Sequence, residues 1–374
     1  MSKWSFVLFL TVALSVYAAM HGFVYWRLAS GLSLATGERL LLKLFLAAGG
    51  LSFIAGEFFS RLTANRALLC VGSVWLGMLA ISLAVFLVEM VLSLLIPQQR
   101  RLLVLAALAL VFLVSAFSVI NAALGPVSRE RRIAIPGLPP ELDGFTIVQL
   151  SDLHVGNLTS MRRLRRFVEQ ANAMKPDLVR VTGDTLDGEV GRDGKYCEVL
   201  GALRARHGVA AVTGNHEFYA GIDKFMELCR CSGWRVLRNE SWVIDGRLAV
   251  IGLDDDTAVR MGAPGPDLEA ALRPLAAGIP KILLYHQPLK FAAAAERGIG
   301  LQLSGHTHAG QIPPMDLLVR LTYEFPAGLY RRGESQIHTS PGTSTWGPPM
   351  RFLSRSEITR LVLVSPGTGK ESGG

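Results

Sequence analysis

Asp152 and His154 form a D-x-H pair just after the apolar run 145–150, and His306 and His308 form an H-x-H pair in Gly-His-Thr-His after the run 301–303. Between them lie Asp184 in Thr-Gly-Asp, Asn215 and His216 in Gly-Asn-His-Glu, and His286 in Tyr-His-Gln-Pro, each following another short apolar run. One such histidine is more often a satisfied structural residue than a ligand, and D-x-H alone is weak evidence. Together the oxygen and nitrogen donors, with no cysteine among them, suit hard or borderline divalent cations such as Mn, Fe or Zn. Two such cations about 3.5–4 Å apart can share a bridging carboxylate and hydroxide and hold the oxygens of a phosphoryl group during in-line displacement.

Those donors need a scaffold that gathers them. The runs 145–150, 178–181, 209–212, 282–284 and 301–303 are short and rich in β-branched residues, which predicts strands. Leu164, Phe167, Val168 and Ala171 recur at helical spacing over about 160–174, and Ile222, Phe225, Met226 and Cys229 do so over 222–231. A hairpin over 241–253 turns through Asp245-Gly246. Strands alternating with helices place the donors at the carboxyl ends of an α/β sheet, where sites on such sheets form.

In chain order, D-x-H, G-D-x-x-D, G-N-H-E, a lone histidine after a strand and G-H-x-H resemble the calcineurin-like metallophosphoesterase superfamily. The continuation GHTHAGQI and an apolar N-terminal half resemble its bacterial membrane-associated members. The resemblance covers about residues 140–365 and implies a four-layer α/β/β/α sandwich. It further implies two divalent metal ions, with Asp152, His154 and His308 on one, Asn215, His286 and His306 on the other, and Asp184 bridging. His216 matches the histidine that contacts the phosphoryl group and protonates the leaving oxygen. Asp187 and Glu217 match positions that orient the metal ligands. Arg351, after Trp346-Gly-Pro-Pro, is a candidate for substrate phosphate because a guanidinium fork matches phosphate oxygens.

The rest of the chain supplies the setting. Half of the residues are hydrophobic, concentrated in apolar runs at 5–26, 40–56, 67–96 and 102–124, which predicts a transmembrane region over 1–124 of four helices. The second run is the shortest, and a re-entrant or interfacial segment is its alternative. A basic, proline-rich linker over 125–144, a catalytic domain over 145–365 and a flexible tail over 366–374 complete the division. This makes the chain a multi-pass integral protein, placed by the resemblance in a bacterial inner membrane. Lys3, Arg61, Arg66, Arg129, Arg131 and Arg132 against Arg27, Arg39, Arg100 and Arg101 lean the catalytic domain to the cytoplasm.

The net charge of +8 is bunched at 129–132 and 162–166, so anionic lipid rather than nucleic acid is the expected partner of the basic patches. The four cysteines read as free thiols, Asp254, Asp255 and Asp256 as a solvated turn, and Glu89 as reaching the membrane interface. PGTGKES lacks the first glycine of a phosphate loop, and G-x-S-x-G is absent. Leu317, Leu318 and Leu321 in the segment 311–333 suggest a lid that dips into lipid. The expectation is a membrane-anchored dimetal phosphoesterase acting on a phosphorylated small molecule or a lipid-linked substrate. A catalytically silent membrane scaffold and a nuclease are the alternatives.

Overall fold

The computed structural model describes residues 3–62, 66–156, 158–188 and 194–366. The tail expected over 366–374 lies outside them from 367 onward. The chain forms two compact units, one of 1–124, 310–318 and 347–354, the other of 125–309, 319–346 and the remainder from 355.

The first unit is built on helices α1 (Lys3–Gly31), α2 (Thr36–Leu62), α3 (Ala67–Leu95) and α4 (Arg100–Ala123). Four spans of 25–29 residues, Val7–Gly31, Thr36–Ser60, Ala67–Leu95 and Pro97–Ala123, the last taking in a short turn before α4, are long and apolar enough to cross a membrane, beyond the roughly 20 residues a hydrocarbon core requires. The second is one continuous helix, so a short re-entrant turn is not what residues 40–56 form. Glu89 has a partner within the helices. It is buried on α3 and paired twice over with the Arg27 guanidinium of α1, with Nη2 2.8 Å from Oε1 and Nε 3.0 Å from Oε2. Such a pairing is how a charge is tolerated among apolar helices.

Two later segments belong to this unit. The Arg351 backbone N–H donates to the Ser118 carbonyl at 2.8 Å, and Asn121 Nδ2 donates to the carbonyls of Arg351 and Ser354, both at 2.9 Å. Ile312 and Met350 sit in the same apolar cluster as Val104, Ala107 and Phe86.

The second unit has two six-stranded sheets. In the first, β1 (Val127–Ala134), β14 (Glu357–Val364), β2 (Thr146–Leu150), β4 (Leu178–Thr182), β6 (Val209–Val212) and β7 (Arg235–Val236) lie in that order. Only the β14–β2 pairing is antiparallel. In the second the order is β12 (Gly328–Arg332), β13 (Ser335–Thr339), β11 (Leu301–Ser304), β10 (Lys281–Leu284), β9 (Leu248–Gly252) and β8 (Glu240–Ile244), with antiparallel edges. A small parallel pair joins β3 (Val155–Gly156) to β5 (Leu186–Asp187).

Strand alternation divides the side chains between layers. Ile147, Leu178 and Val212 of the first sheet meet Val250, Ile282 and Leu303 of the second in one buried cluster. Val148, Leu150, Val179 and Val181 point the other way, onto α5 (Met161–Ala173), α6 (Lys195–Leu200) and α8 (Ile222–Cys231). Between α6 and α8 runs α7 (Asn215–Ala220). Ile251, Leu283 and Tyr285 face α10 (Leu268–Leu272) and α11 (Phe291–Glu296), with α9 (Thr257–Arg260) preceding them and α12 (Met315–Thr322) following. The result is the expected four-layer α/β/β/α sandwich.

Three expectations change. Residues 125–144 are not a linker, because 127–134 pair with β14 over eight residues by backbone hydrogen bonds that do not depend on the charged side chains they carry. Cys197 and Cys231 are disulfide-bonded, leaving Cys70 and Cys229 free. Asp254 and Asp255 are buried rather than solvated: Arg238 binds Asp254 at 2.9 Å, and Gln287 Nε2 donates to Asp255 at 2.8 Å.

Candidate metal centre

The donors follow five strand ends: Asp152 and His154 after β2, Asp184 after β4, Asn215 after β6, His286 after β10, and His306 and His308 after β11. The Nε2 atoms of His154 and His308 lie 3.1 Å apart, and His308 Nε2 is 3.4 Å from Asp152 Oδ1. His286 Nε2 lies 3.1 Å from Asp184 Oδ2 and 3.2 Å from His306 Nδ1. The sets Asp152/His154/His308 and Asp184/His286/His306 each bring their donor atoms within 4.8 Å of one another. Asp184 joins them, its Oδ2 being 3.9 Å from His154 Nε2.

Close approach explains the glycines of the motifs. A Cβ on Gly214 would collide with the Asp184 carboxylate and backbone N, and one on Gly183 would meet His286 Nδ1. Glu217 holds the same corner together: its carboxylate accepts from the backbone N–H groups of Asp184, Thr185, Leu186 and Gly214 at 2.6–3.0 Å. The His216 N–H donates to Asp184 Oδ1 at 2.9 Å, fixing the other carboxylate oxygen toward the histidines.

The donor set fits divalent cations. Two imidazole nitrogens each about 2.0–2.1 Å from one cation and roughly at right angles lie near 3 Å apart, which matches His154 and His308. Asn215 Oδ1 and His154 Nδ1 are buried without a hydrogen-bond partner, and an amide oxygen is a suitable ligand for a hard cation. His286 Nδ1 lies 2.8 Å from the Thr182 carbonyl; donation there leaves its Nε2 lone pair for a metal, the usual arrangement for a ligand histidine. Burial holds His154 and His306 down to about 4, so both imidazoles are neutral, as ligands must be. Burial pulls His286 down, but Asp184 and Asp152 outweigh it and raise it well above the ordinary value. The buried carboxylates thus create a field that favours positive charge.

His216 is partly exposed, 3.3 Å from Asp187 Oδ1. Burial lowers its affinity for a proton, but Asp187 and Asp184 overcome this and the net shift is upward. Arg351 falls in the helical unit, where its side chain is fully buried. Three aromatic residues near the centre have no motif in the sequence to mark them: Tyr219 and Trp346 meet the His216 ring, and Tyr323 meets His306. The one local signal was the three-residue spacing of Tyr219 from His216, which puts them on one helix face.

The profile of the calcineurin-like phosphoesterase family matches residues 145–310. A Danio rerio protein named "Transmembrane protein with metallophosphoesterase domain" is 37% identical over 274 residues, 69% of this chain and 62% of the relative. An "Uncharacterized metallophosphoesterase" of Helicobacter pylori strain J99 is 36% identical over 241 residues, 64% of each chain. One of Aquifex aeolicus is 32% identical over 231 residues, 61% of this chain and 88% of the relative. The chain thus spans less than two thirds of the length of the Danio rerio and Helicobacter pylori relatives. With the donor sets above and four helices apolar enough to span a membrane, the chain belongs to the calcineurin-like phosphoesterase family.

Proposed function

We propose that the chain is a membrane-anchored phosphoesterase that hydrolyses a phosphate ester or pyrophosphate bond, using two divalent cations, in a small-molecule or lipid-linked substrate. The observation that carries this reading is the pair of donor triads joined through Asp184. Asp152, His154 and His308 would hold one cation, Asn215, His286 and His306 the other, and Asp184 both, with Mn, Fe or Zn matching the donors. When bound, such cations supply Lewis acidity and an activated water.

The chain's own residues supply the rest. His216, whose protonated form Asp187 favours, would deliver a proton to the departing oxygen as a general acid. Glu217 fixes the backbone of 184–186 through its hydrogen bonds and so holds Asp184 in position. The exposed Leu317, Leu318 and Leu321 of α12 support a substrate met at a lipid surface, since the first half of that helix belongs to the unit of apolar helices.

The oxidised pair Cys197–Cys231 supports a catalytic unit on the oxidising side of the membrane. The opposite lean drew on Arg129, Arg131 and Arg132, which lie in a strand of the catalytic unit; folded domains translocate largely regardless of charge. Without them Lys3, Arg61 and Arg66 face Arg27, Arg39, Arg100 and Arg101, and the lean to the cytoplasm is gone.

The test is Mn-dependent hydrolysis by the purified chain across DNA, nucleotide-linked lipid, phospholipid and simple phosphate esters, with Asp184→Ala and His216→Ala as controls. Turnover of at least one ester that both substitutions abolish or sharply reduce is expected. No turnover of any substrate would support the scaffold alternative, and preference for DNA the nuclease.

A further inference from the structure

Trp346 is 52% exposed and Tyr219 is 58% exposed, although both stand against the imidazole proposed to protonate the leaving group. Their ring centroids lie 5.6 and 5.7 Å from that of His216, with interplanar angles of 75° and 70°. Tyr219 comes from α7 and Trp346 from the loop after β13, so two unrelated elements deliver aromatic surface to one place. Single exposed aromatics are ordinary on protein surfaces. Here two converge on one residue, His216, of a centre whose proposed ligands are polar and mostly buried.

We infer that Tyr219 and Trp346 form a stacking platform for a planar leaving group, a nucleobase or aryl ring attached through the scissile phosphate. The inference rests on the role proposed for His216. Water forms the new bond to phosphorus, the bond from phosphorus to the leaving oxygen breaks, and that oxygen takes the His216 proton. The group attached to it therefore departs beside the two rings. Every base has a π-face, so stacking selects planarity without reading sequence or substituent.

Isothermal titration of the Mn-loaded full chain in detergent with methylphosphonate, cyclohexylmethylphosphonate and benzylphosphonate tests this without turnover. Benzylphosphonate is expected to bind roughly ten-fold more tightly than methylphosphonate, the order of one stacking contact. That ratio should collapse toward one in Trp346→Leu and Tyr219→Leu and persist in Trp346→Phe. Equal binding of the benzyl and cyclohexylmethyl compounds would overturn the planar class. A ratio that survives both leucine substitutions would overturn the platform, as would leucine variants that lose only their association with anionic vesicles. Failure of methylphosphonate itself to bind would sink the phosphoesterase reading together with this one.

Discussion

His154 and His308 lie 154 residues apart in the chain and bring their Nε2 atoms to 3.1 Å. Both residues have positive φ, as do Asp152, Asp184 and His306. Backbone of this kind costs on the order of 1 kcal/mol or more per residue and persists only where its surroundings over-determine it. Five such residues around one centre mean that the surrounding fold over-determines the backbone at the ligand positions.

The pH dependence of kcat/KM should report His216. Its pKa is raised by Asp187 and Asp184, so the protonated acid persists above the ordinary histidine range and activity falls as pH rises through the elevated value. The stability contributed by the His216–Asp187 pair follows the same sign: fully present below the unfolded pKa, lost as pH rises through the folded one. Asp187→Asn should move the alkaline limb to lower pH, and His216→Ala should cost about 10²–10⁴-fold in kcat. An alkaline limb unmoved in Asp187→Asn would remove His216 from the role of acid.

Glu217→Gln should destabilise the catalytic unit by about 2–4 kcal/mol, because the amide turns an N–H donor toward backbone donors that the carboxylate accepts. Denaturant unfolding of the substituted chain in detergent checks this; a change below about 0.5 kcal/mol, the range of ordinary surface substitutions, would contradict the bracing role.

Thiol counting under denaturing, non-reducing conditions should find Cys70 and Cys229 reactive and Cys197 and Cys231 blocked. Closing the 34-residue separation between them stabilises by about 3–4 kcal/mol in the chain-entropy account, so Cys197→Ser should lower the melting temperature clearly. Four reactive thiols would remove the support for an oxidising compartment.

Replacing Leu317, Leu318 and Leu321 together by Ser should lower hydrolysis of lipid-borne esters several-fold while sparing water-soluble ones, since each leucine presents apolar surface to solvent. Equal rates on both classes would show that α12 does not engage lipid.

Much of the site was legible because its residues sit where strand periodicity breaks into polar turns, as at Leu150 to Asp152 and Val212 to Asn215. The four apolar helices were visible from length alone. Strand β1 was not, since seven of the residues in VSRERRIA are exposed or half-buried and Ile133 is its one buried side chain; its pairing is a backbone matter. Cys197 and Cys231 meet only because α6 packs on α8, a tertiary event with no local spacing signal. The return of 310–318 and 347–354 to the helical unit is equally non-local, and it groups Arg351 with the residues of that unit. Tyr219 and Trp346 escaped notice because an exposed aromatic residue has no periodicity to betray it.

The metal content of the purified full chain and of Asp184→Ala, measured side by side by elemental mass spectrometry after Mn loading, tests the central claim most directly. The account predicts about two ions per wild-type chain and fewer than one in Asp184→Ala, because one carboxylate serves both positions. Two tightly held ions in the substituted chain, or none in the wild type, would contradict it.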